Sequence, residues 1–477
     1  MSVRAGLAGA ACLTLALASA AGCGGGGDDR DPEPGPAGPR QAVNFVVVMT
    51  DDQDRASAHR MPRVRRLLAA RGTTFANAFA SLPLCCPSRA TFLTGQYAHN
   101  HGVWHNKPPD GGYSAFGGRE RTLGVWLEEA GYRTAWVGKY LNGYGLDGDP
   151  RVPPGWTRWF SPLGFDSLLM YDYAVSDDGR ERHYGNRPRD YQTDVFAREA
   201  VRFVRDESGS RPFFLVLAPL APHDEADTVR VGPRDPRPAP RHRGTVAEAR
   251  LPGSPDFDEA RVSDKPRKLR RPRLSASERH ELARLIGDRR ASLLAVDEAV
   301  GRIVGSLRRT GELSRTVVVF TSDNGYLLGE HRLVGGKSLP YRGIAGVPLI
   351  VRGPGFEPGA RLDSAVGNVD VTATIVELAG LDPDRELDGV PLPFGGEDDR
   401  ALLLESPAYT SVRTRRFLYV EHRGGAVELY DLRRDPLELE NEAANPDYRT
   451  WADRLAAAAD ELRDCAGEGC RVQLGPG

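Results

Sequence analysis

Cys85-Cys86-Pro87-Ser88-Arg89, opening the run LCCPSRATFLTG, gathers two thiols, a proline, a small hydroxyl and a guanidinium within five positions. No second Cys or His pair stands at ligand spacing nearby, so the two thiols make a poor zinc knuckle. They make a good helix start. Pro87 fits the first turn, and Cys85 or Cys86 stands at the positive end of the helix, where free N–H groups and the dipole attract an anion. Arg89 adds a fixed fork suited to sulfate, phosphate or carboxylate. For an isolated Cys-Cys the alternative is a pair of buried free thiols.

Further chemistry-bearing residues stand at the ends of apolar runs. Val43 to Thr50 (VNFVVVMT) reads as a fully buried parallel strand and ends in Asp51-Asp52. Thr316 to Ser322 (TVVVFTS) ends in Asp323-Asn324, Phe213 to Ala218 leads to Pro222-His223, and Arg133 to Val137 leads to Gly138-Lys139. Singly, each is also a common turn or surface residue. Together they deliver carboxylates, an amide, a histidine and a lysine to the C-terminal edge of one sheet, where open α/β folds bind ligands. Asp51, Asp52, Asp323 and Asn324 form an all-oxygen set for a hard divalent cation, calcium or magnesium, and disfavour zinc.

Cys-x-Pro-Ser-Arg with the downstream Thr-Gly resembles the signature of type I sulfatases, in which the first cysteine is oxidised enzymatically to formylglycine. On that resemblance Cys85 becomes the 3-oxoalanine, which joins Asp51, Asp52, Asp323 and Asn324 around calcium. Phe320 to Gly355 is similar to a second sulfatase block that includes a sulfate-contacting lysine, here Lys337. Asn368 to Gly380 and Leu429 to Asn441 are similar to the family's helix and C-terminal hairpin. CCPSR, Asn100-His101 and GKYLNGYG (138–145) look most like the N-acetylglucosamine-6-sulfatase branch.

The resemblance implies an alkaline-phosphatase-like α/β sandwich with a large, mostly parallel sheet flanked by helices. It implies hydrolysis of a sulfated carbohydrate resembling glucosamine 6-sulfate, with Cys85, Arg89, Lys139, His223 and Lys337 catalytic and with Asn142 and His101 binding substrate. His223 or Lys337 would protonate the departing alcohol. Many sulfatases carry histidine where this chain has Leu141, so one proton-transfer role lacks an owner; His101 and His105 are candidates. The competing readings are an arylsulfatase, a phosphate mono- or diester hydrolase of the same superfamily, and a binding protein that has lost its chemistry. Maturation would need a formylglycine-generating enzyme.

The chain that must position these groups has 477 residues, 40% hydrophobic and 27% charged, enough for a large core. Its net charge of −2 gives no global reason to expect nucleic acid. Arg4 followed by apolar Ala8–Ala21 is shorter than the roughly 20 residues of a membrane helix and reads as a signal peptide. Ala20-Ala21-Gly22-Cys23 resembles a bacterial lipobox, so residues 1–22 would be removed, Cys23 lipidated, and 23–41 left as a flexible tether. The protein would then sit on the outer face of the cell membrane through its lipid alone, or be secreted.

Residues 42–385 read as the catalytic domain and 386–477 as a C-terminal subdomain. Within the former, 224–274 is a basic, Pro-rich insertion beside His223, either shaping specificity or forming a solvated excursion. Ser275-x-x-Glu278 predicts a capping box for a long helix closed by Gly311. Short strands at 401–405, 417–422 and 426–432 and a helix over 447–463 predict a small antiparallel sheet with a packed helix. Cys465 and Cys470 are placed to close a small disulfide loop, with free thiols as the alternative.

Overall fold

Val46 and Val48 face one side of the central sheet and Phe45, Val47 and Met49 the other, and both sides are buried. A strand covered on both faces needs a continuous apolar run, and β1 (Asn44–Thr50) has one. The computed structural model describes residues 42–226, 233–246, 249–392 and 400–474. The signal peptide, the tether and Cys23 lie outside these residues.

The main sheet has ten strands. They are β1, β2 (Thr73–Phe79), β3 (Arg133–Gly138), β4 (Arg158–Pro162), β5 (Tyr173–Asp177), β6 (Arg180–Tyr184), β7 (Phe213–Ala218), β8 (Thr316–Ser322), β9 (Leu349–Arg352) and β10 (Arg361–Gly367). Their order is β10-β2-β9-β8-β1-β7-β3-β4-β5-β6. Strands β8, β1, β7 and β3, the four singled out by their polar endings, are adjacent and parallel. Thr50 pairs with Ser322, so Asp51 and Asp323 leave the sheet side by side.

Helices cover both faces. Cys86, Ala90 and Leu93 of α1 (Cys85–Thr94) pack with Val371 and Ile375, which belong to a later helix, Asn368–Ala379, on one side. Phe196 and Val204 of α2 (Gln192–Glu207) pack with Val296 and Ile303 of α3 (Ala276–Arg309) on the other. Each fully buried aliphatic or aromatic side chain of these layers contributes about 1.5–3 kcal/mol. The expected capping box opens α3: Ser275 and Glu278 exchange side-chain and backbone hydrogen bonds, and Gly311 follows its end in left-handed conformation.

A second, four-stranded antiparallel sheet is built from β11 (Leu402–Ser406), β12 (Tyr409–Arg413), β13 (Phe417–His422) and β14 (Val427–Asp431), with helix Arg449–Arg463 against it. Three of these strands match expectation; β12 is additional. Cys465 and Cys470 are joined by a disulfide. Within the expected insertion, residues 249–274 are more anchored than a solvated excursion would be. Phe257 and Ala249 pack with Leu282 and Ile286 of α3, and Lys265 is buried against Asp264, Glu259 and the Leu439 carbonyl.

Backbone geometry at the end of β3 sets the place of Lys139. Gly138 has φ +122°, and a Cβ there would run into the Ala218 carbonyl, which accepts the Lys139 N–H at 2.8 Å. Gly138→Ala is expected to destabilise the protein by roughly 2–4 kcal/mol in urea unfolding; an unchanged midpoint would refute this close approach.

Candidate active site

The four strand ends converge on Cys85, the buried first residue of α1. Its Sγ lies 3.6 Å from Asp51 Oδ1, 3.9 Å from Asp52 Oδ1 and 3.1 Å from Lys337 Nζ. Asp51 Oδ2 receives Lys139 Nζ at 2.5 Å and Arg89 Nη2 at 3.0 Å. Asp52 Oδ1 accepts from Lys337 Nζ at 2.6 Å and Asn324 Nδ2 at 2.7 Å. His223 Nε2 stands 3.5 Å from Asp52 Oδ2 and 4.0 Å from Asp51 Oδ1.

Successive residues of a strand point to opposite faces, so two neighbouring aspartates need a reason to share one site. Asp52 supplies it by turning left-handed, with φ +62°. Such a backbone costs roughly 1–3 kcal/mol at a residue other than glycine. It is held on both sides: the Asp52 N–H donates to Asp323 Oδ1 at 3.0 Å, and its carbonyl accepts from Arg289 Nη2. The next N–H, of Gln53, donates to Ser322 Oγ at 2.9 Å.

Charge is paired throughout. Burial would raise the Asp51 pKa, but Lys139, then His223, Arg89 and Lys337, hold its carboxyl well below the usual range. Asp52 is likewise lowered, with Lys337 and His223 outweighing burial and the repulsion of Asp51. Asp323 is raised by burial and by the Asp51 charge. Burial pushes the Cys85 thiol up and the Cys86 thiol up to about 11, so both stay protonated at neutral pH. Arg89 and Lys139 are sealed inside, whereas the side chains of Lys337 and His223 are 23% and 19% exposed and reach solvent.

The donor set fits a divalent cation. One ligand atom each from Asp51, Asp52, Cys85 and His223 lies within 4.8 Å of the others. Asn324 Oδ1 is buried without a hydrogen-bond partner among the described residues, an acceptor left over once Nδ2 has been used. Asp323 touches this group from behind, with Oδ1 on the Asp52 and Asn324 N–H groups and Oδ2 on Arg89 Nε at 2.8 Å.

Several expected residues sit differently from their sequence reading. Arg89 was expected to offer its fork to an incoming anion. Its Nε and Nη2 go instead to Asp323 and Asp51, and Nη1 to the Lys139 carbonyl at 2.5 Å, so it organises carboxylates. His101 turns inward, with Nε2 3.1 Å from Thr91 Oγ1 and Nδ1 accepting the Val103 N–H at 3.1 Å. Burial, aided by the Arg385 charge, lowers its pKa to about 3, so it is neutral and occupied. His105 is exposed. Asn142 is half-buried and engages Cys86: its N–H donates to Cys86 Sγ at 3.0 Å. Leu141 belongs to the apolar core beside α1 and is buried.

Three supports are absent from the sequence reading. Asn106 Oδ1 accepts the Cys86 N–H at 2.9 Å and fixes the start of α1. Trp136, Tyr140, Tyr144 and Trp159 pack edge to face beneath the Lys139 turn. Arg289 of α3 donates to the carbonyls of Asp52 and Pro222 and stacks 4.0 Å over Tyr326, joining the Asp52 turn to the His223 loop. A signal for Arg289 exists: it stands three residues after Ile286 and four before Leu293, an arginine on the apolar face of an amphipathic helix. Lysine itself is another signal, since only five of the 63 basic residues are lysine and two of them, Lys139 and Lys337, are in this cluster.

Comparison with known proteins agrees with the geometry. The family model described as Sulfatase matches residues 43–381. The human N-acetylglucosamine-6-sulfatase is 34% identical over 370 residues, covering 75% of this chain and 64% of that protein. The arylsulfatase of Volvox carteri is 32% identical, covering 91% and 76%. The extracellular sulfatase SULF-1 homologue of Drosophila melanogaster is 33% identical over 72% of this chain and 30% of its own length, and for a Caenorhabditis elegans homologue the latter share is 48%. The chain thus spans half or less of these last two relatives. Among solved structures, a protein in complex with its substrate D-glucosamine-2-N,6-O-disulfate has TM-score 0.74 at 24% identity, covering 89% of this chain and 98% of that one. The phosphonate monoester hydrolase of Agrobacterium radiobacter has TM-score 0.66 at 22% identity, covering 88% and 95%. At these identities the two structures speak for the fold.

Arg289→Lys keeps the charge but cannot bridge both carbonyls or stack on Tyr326. Divalent-cation affinity measured by calorimetry is expected to fall ~10- to 100-fold with unchanged circular dichroism; wild-type affinity in the variant would contradict the role given to Arg289.

Proposed function

The chain belongs to the sulfatase family, and we propose that it is a sulfuric ester hydrolase releasing sulfate from a sulfated carbohydrate of the glucosamine 6-sulfate kind. The observation that carries this reading is Cys85 Sγ lying within 4 Å of Asp51, Asp52 and Lys337 at a helix start. The relative named N-acetylglucosamine-6-sulfatase supports the sugar class, as do the motifs CCPSR and GKYLNGYG.

With Cys85 matured to formylglycine and calcium or magnesium held by Asp51, Asp52, Asp323 and Asn324, the hydrated aldehyde would supply a hydroxyl nucleophile whose pKa the ion lowers. The protein's own groups do the rest. Lys337, the half-buried and more accessible lysine of the cluster, would meet the sulfuryl oxygens and balance their growing charge. Lys139 and Arg89 keep Asp51 and Asp323 oriented from beneath. His223 Nδ1 is 2.6 Å from the Asp224 carbonyl, which can only accept, so Nδ1 carries a hydrogen. Nε2 faces Asp51 and Asp52, and only the doubly protonated ring carries a hydrogen there; in that imidazolium form Nε2 would give its proton to the departing alcohol and leave the neutral Nδ1–H tautomer. Asn142 acts through Cys86, which its backbone N–H and side-chain Oδ1 both engage. This assigns to His223 the proton role that Leu141 cannot fill.

Three carboxylates are met by Arg89, Lys139 and Lys337, so a divalent ion makes the cluster positive overall and suited to an anionic ester. An arylsulfatase is the second reading, favoured by the Volvox relative's 91% coverage of this chain. The remaining organisation belongs to the same proposal: export with residues 1–22 removed, lipid on Cys23 or secretion, tether 23–41, catalytic portion 42–385, and maturation by a formylglycine-generating enzyme. Among the described residues no helix is long and apolar enough to cross a membrane.

Parallel kcat/KM measurements on glucosamine 6-sulfate, an aryl sulfate and an aryl phosphate are expected to favour the sulfate esters, and Cys85→Ala is expected to lower sulfate release by roughly 10⁴-fold or more without loss of fold. A strong preference for phosphate, or an active Cys85→Ala protein, would contradict the proposal.

A further inference from the structure

On the sheet face covered by α2 and α3 runs a groove of about 910 Å³ that the proposed chemistry does not use. Nine arginines line it, against two carboxylates, Asp194 and Glu298. Both carboxylates are already neutralised: Arg241 reaches each at 2.6 Å, and Arg302 reaches Asp194 at 3.0 Å. Arg66, Arg308 and Arg309 are exposed and make no side-chain hydrogen bond or ion pair among the described residues. A second hollow of about 450 Å³ continues the groove past Arg66 and Arg308 and adds Arg71 and Arg352. Arg63, Arg202 and Arg205 are paired with Asp297, Glu199 and Asp206, so the unbalanced positive charge of the groove gathers at Arg66, Arg198, Arg308 and Arg309, in a chain whose net charge is only −2.

The groove also has a built floor. Gly301 and Gly305 line it one turn apart in the C-terminal third of α3, where a glycine inside a helix costs about 1 kcal/mol relative to alanine. A Cβ at Gly301 would meet Arg63 Cδ at 2.6 Å, so the glycine lets that arginine lie across the helix. Two helix-weakening residues are thus placed where they keep an arginine-lined channel open.

Its position separates it from the Cys85 cluster. Helices α2 and α3 lead into the starts of β7 and β8, so their last turns lie at the sheet edge opposite Asp51 and Asp323. Arg289 touches the Asp52 turn, and Arg309 lies 20 residues further along the same helix, roughly 30 Å away. One sulfate ester cannot occupy both places; a polymer can.

We propose that this groove binds the anionic chain of a sulfated polysaccharide, arginine forks pairing with its sulfate and carboxylate groups away from the ester being cleaved. The ligand class rests on the sulfatase reading of the Cys85 cluster. Bidentate guanidinium pairing suits sulfate and carboxylate, and a concave groove continued by a second hollow suits an extended anionic chain better than a flat lipid surface.

Heparin binding by the full chain tests this, comparing wild type with the triple charge reversal Arg66→Glu/Arg308→Glu/Arg309→Glu and with Gly305→Leu, which fills the floor without changing charge. Affinity is expected to fall at least ~10-fold in the triple variant and measurably in Gly305→Leu, with hydrolysis of a monosaccharide sulfate unchanged. Unchanged heparin affinity in both variants overturns the groove, whatever the enzyme hydrolyses. Failure of matured wild type to release sulfate from any ester counts against the catalytic reading alone, because the binding comparison needs no turnover. Tighter binding to anionic phosphatidylglycerol vesicles than to heparin, lost in the same variants, overturns the polysaccharide assignment in favour of a membrane surface.

Discussion

Three carboxylates buried at one end of two neighbouring strands cannot persist without compensating charge, since a buried unpaired carboxylate would take up a proton or unfold the site. Asp51, Asp52 and Asp323 are fully buried, and Arg89, Lys139 and Lys337 each touch at least one of them. This network is what the surrounding structure serves. Helix α1 brings Arg89 to Asp51 and Asp323 and presents Cys85 beside them; β3 leads directly into Lys139; the segment after β8 returns Lys337 to Asp52. Asp51 is met by two cations, whereas Asp323 depends on Arg89 and Asp52 on Lys337, so loss of either of those two leaves a buried carboxylate without its cation.

The sheet makes this arrangement possible by parallel register. Because β8, β1 and β7 run the same way and end at the same level, their next residues converge without long loops. The left-handed turn at Asp52 then brings a second carboxylate to the side that Asp51 already occupies. Arg289 stabilises that turn from α3 while also holding the His223 loop, so strain at Asp52 and the place of the imidazole are coupled through one guanidinium. Beyond this edge the same helix carries the arginine groove, linking the two anion-seeking features of the molecule by a single rigid element.

Much of this was legible in the sequence for a physical reason. β-Branched runs such as VNFVVVMT and TVVVFTS leave little choice but a buried parallel strand, and the polar residue that follows then has a fixed address; Asp51, Asp323, Lys139 and His223 were placed this way. What was hidden depends on contacts between distant segments. A guanidinium in sequence does not say what it will pair with, so Arg89 read as an anion receptor when it faces carboxylates. His101 looked available until Thr91 and Val103 were seen to use both ring nitrogens. The strand Tyr409–Arg413 lacks an apolar run and owes its burial to the strands on either side.

The central claim is that Cys85 works as a matured residue within this charge-balanced cluster, and mass spectrometry of its tryptic peptide tests it most directly. Protein sorted by sulfate-releasing activity should carry formylglycine at Cys85, an unmodified Cys86, and an aldehyde fraction that rises in proportion to turnover. Fully active protein with an intact thiol at Cys85 would contradict the account.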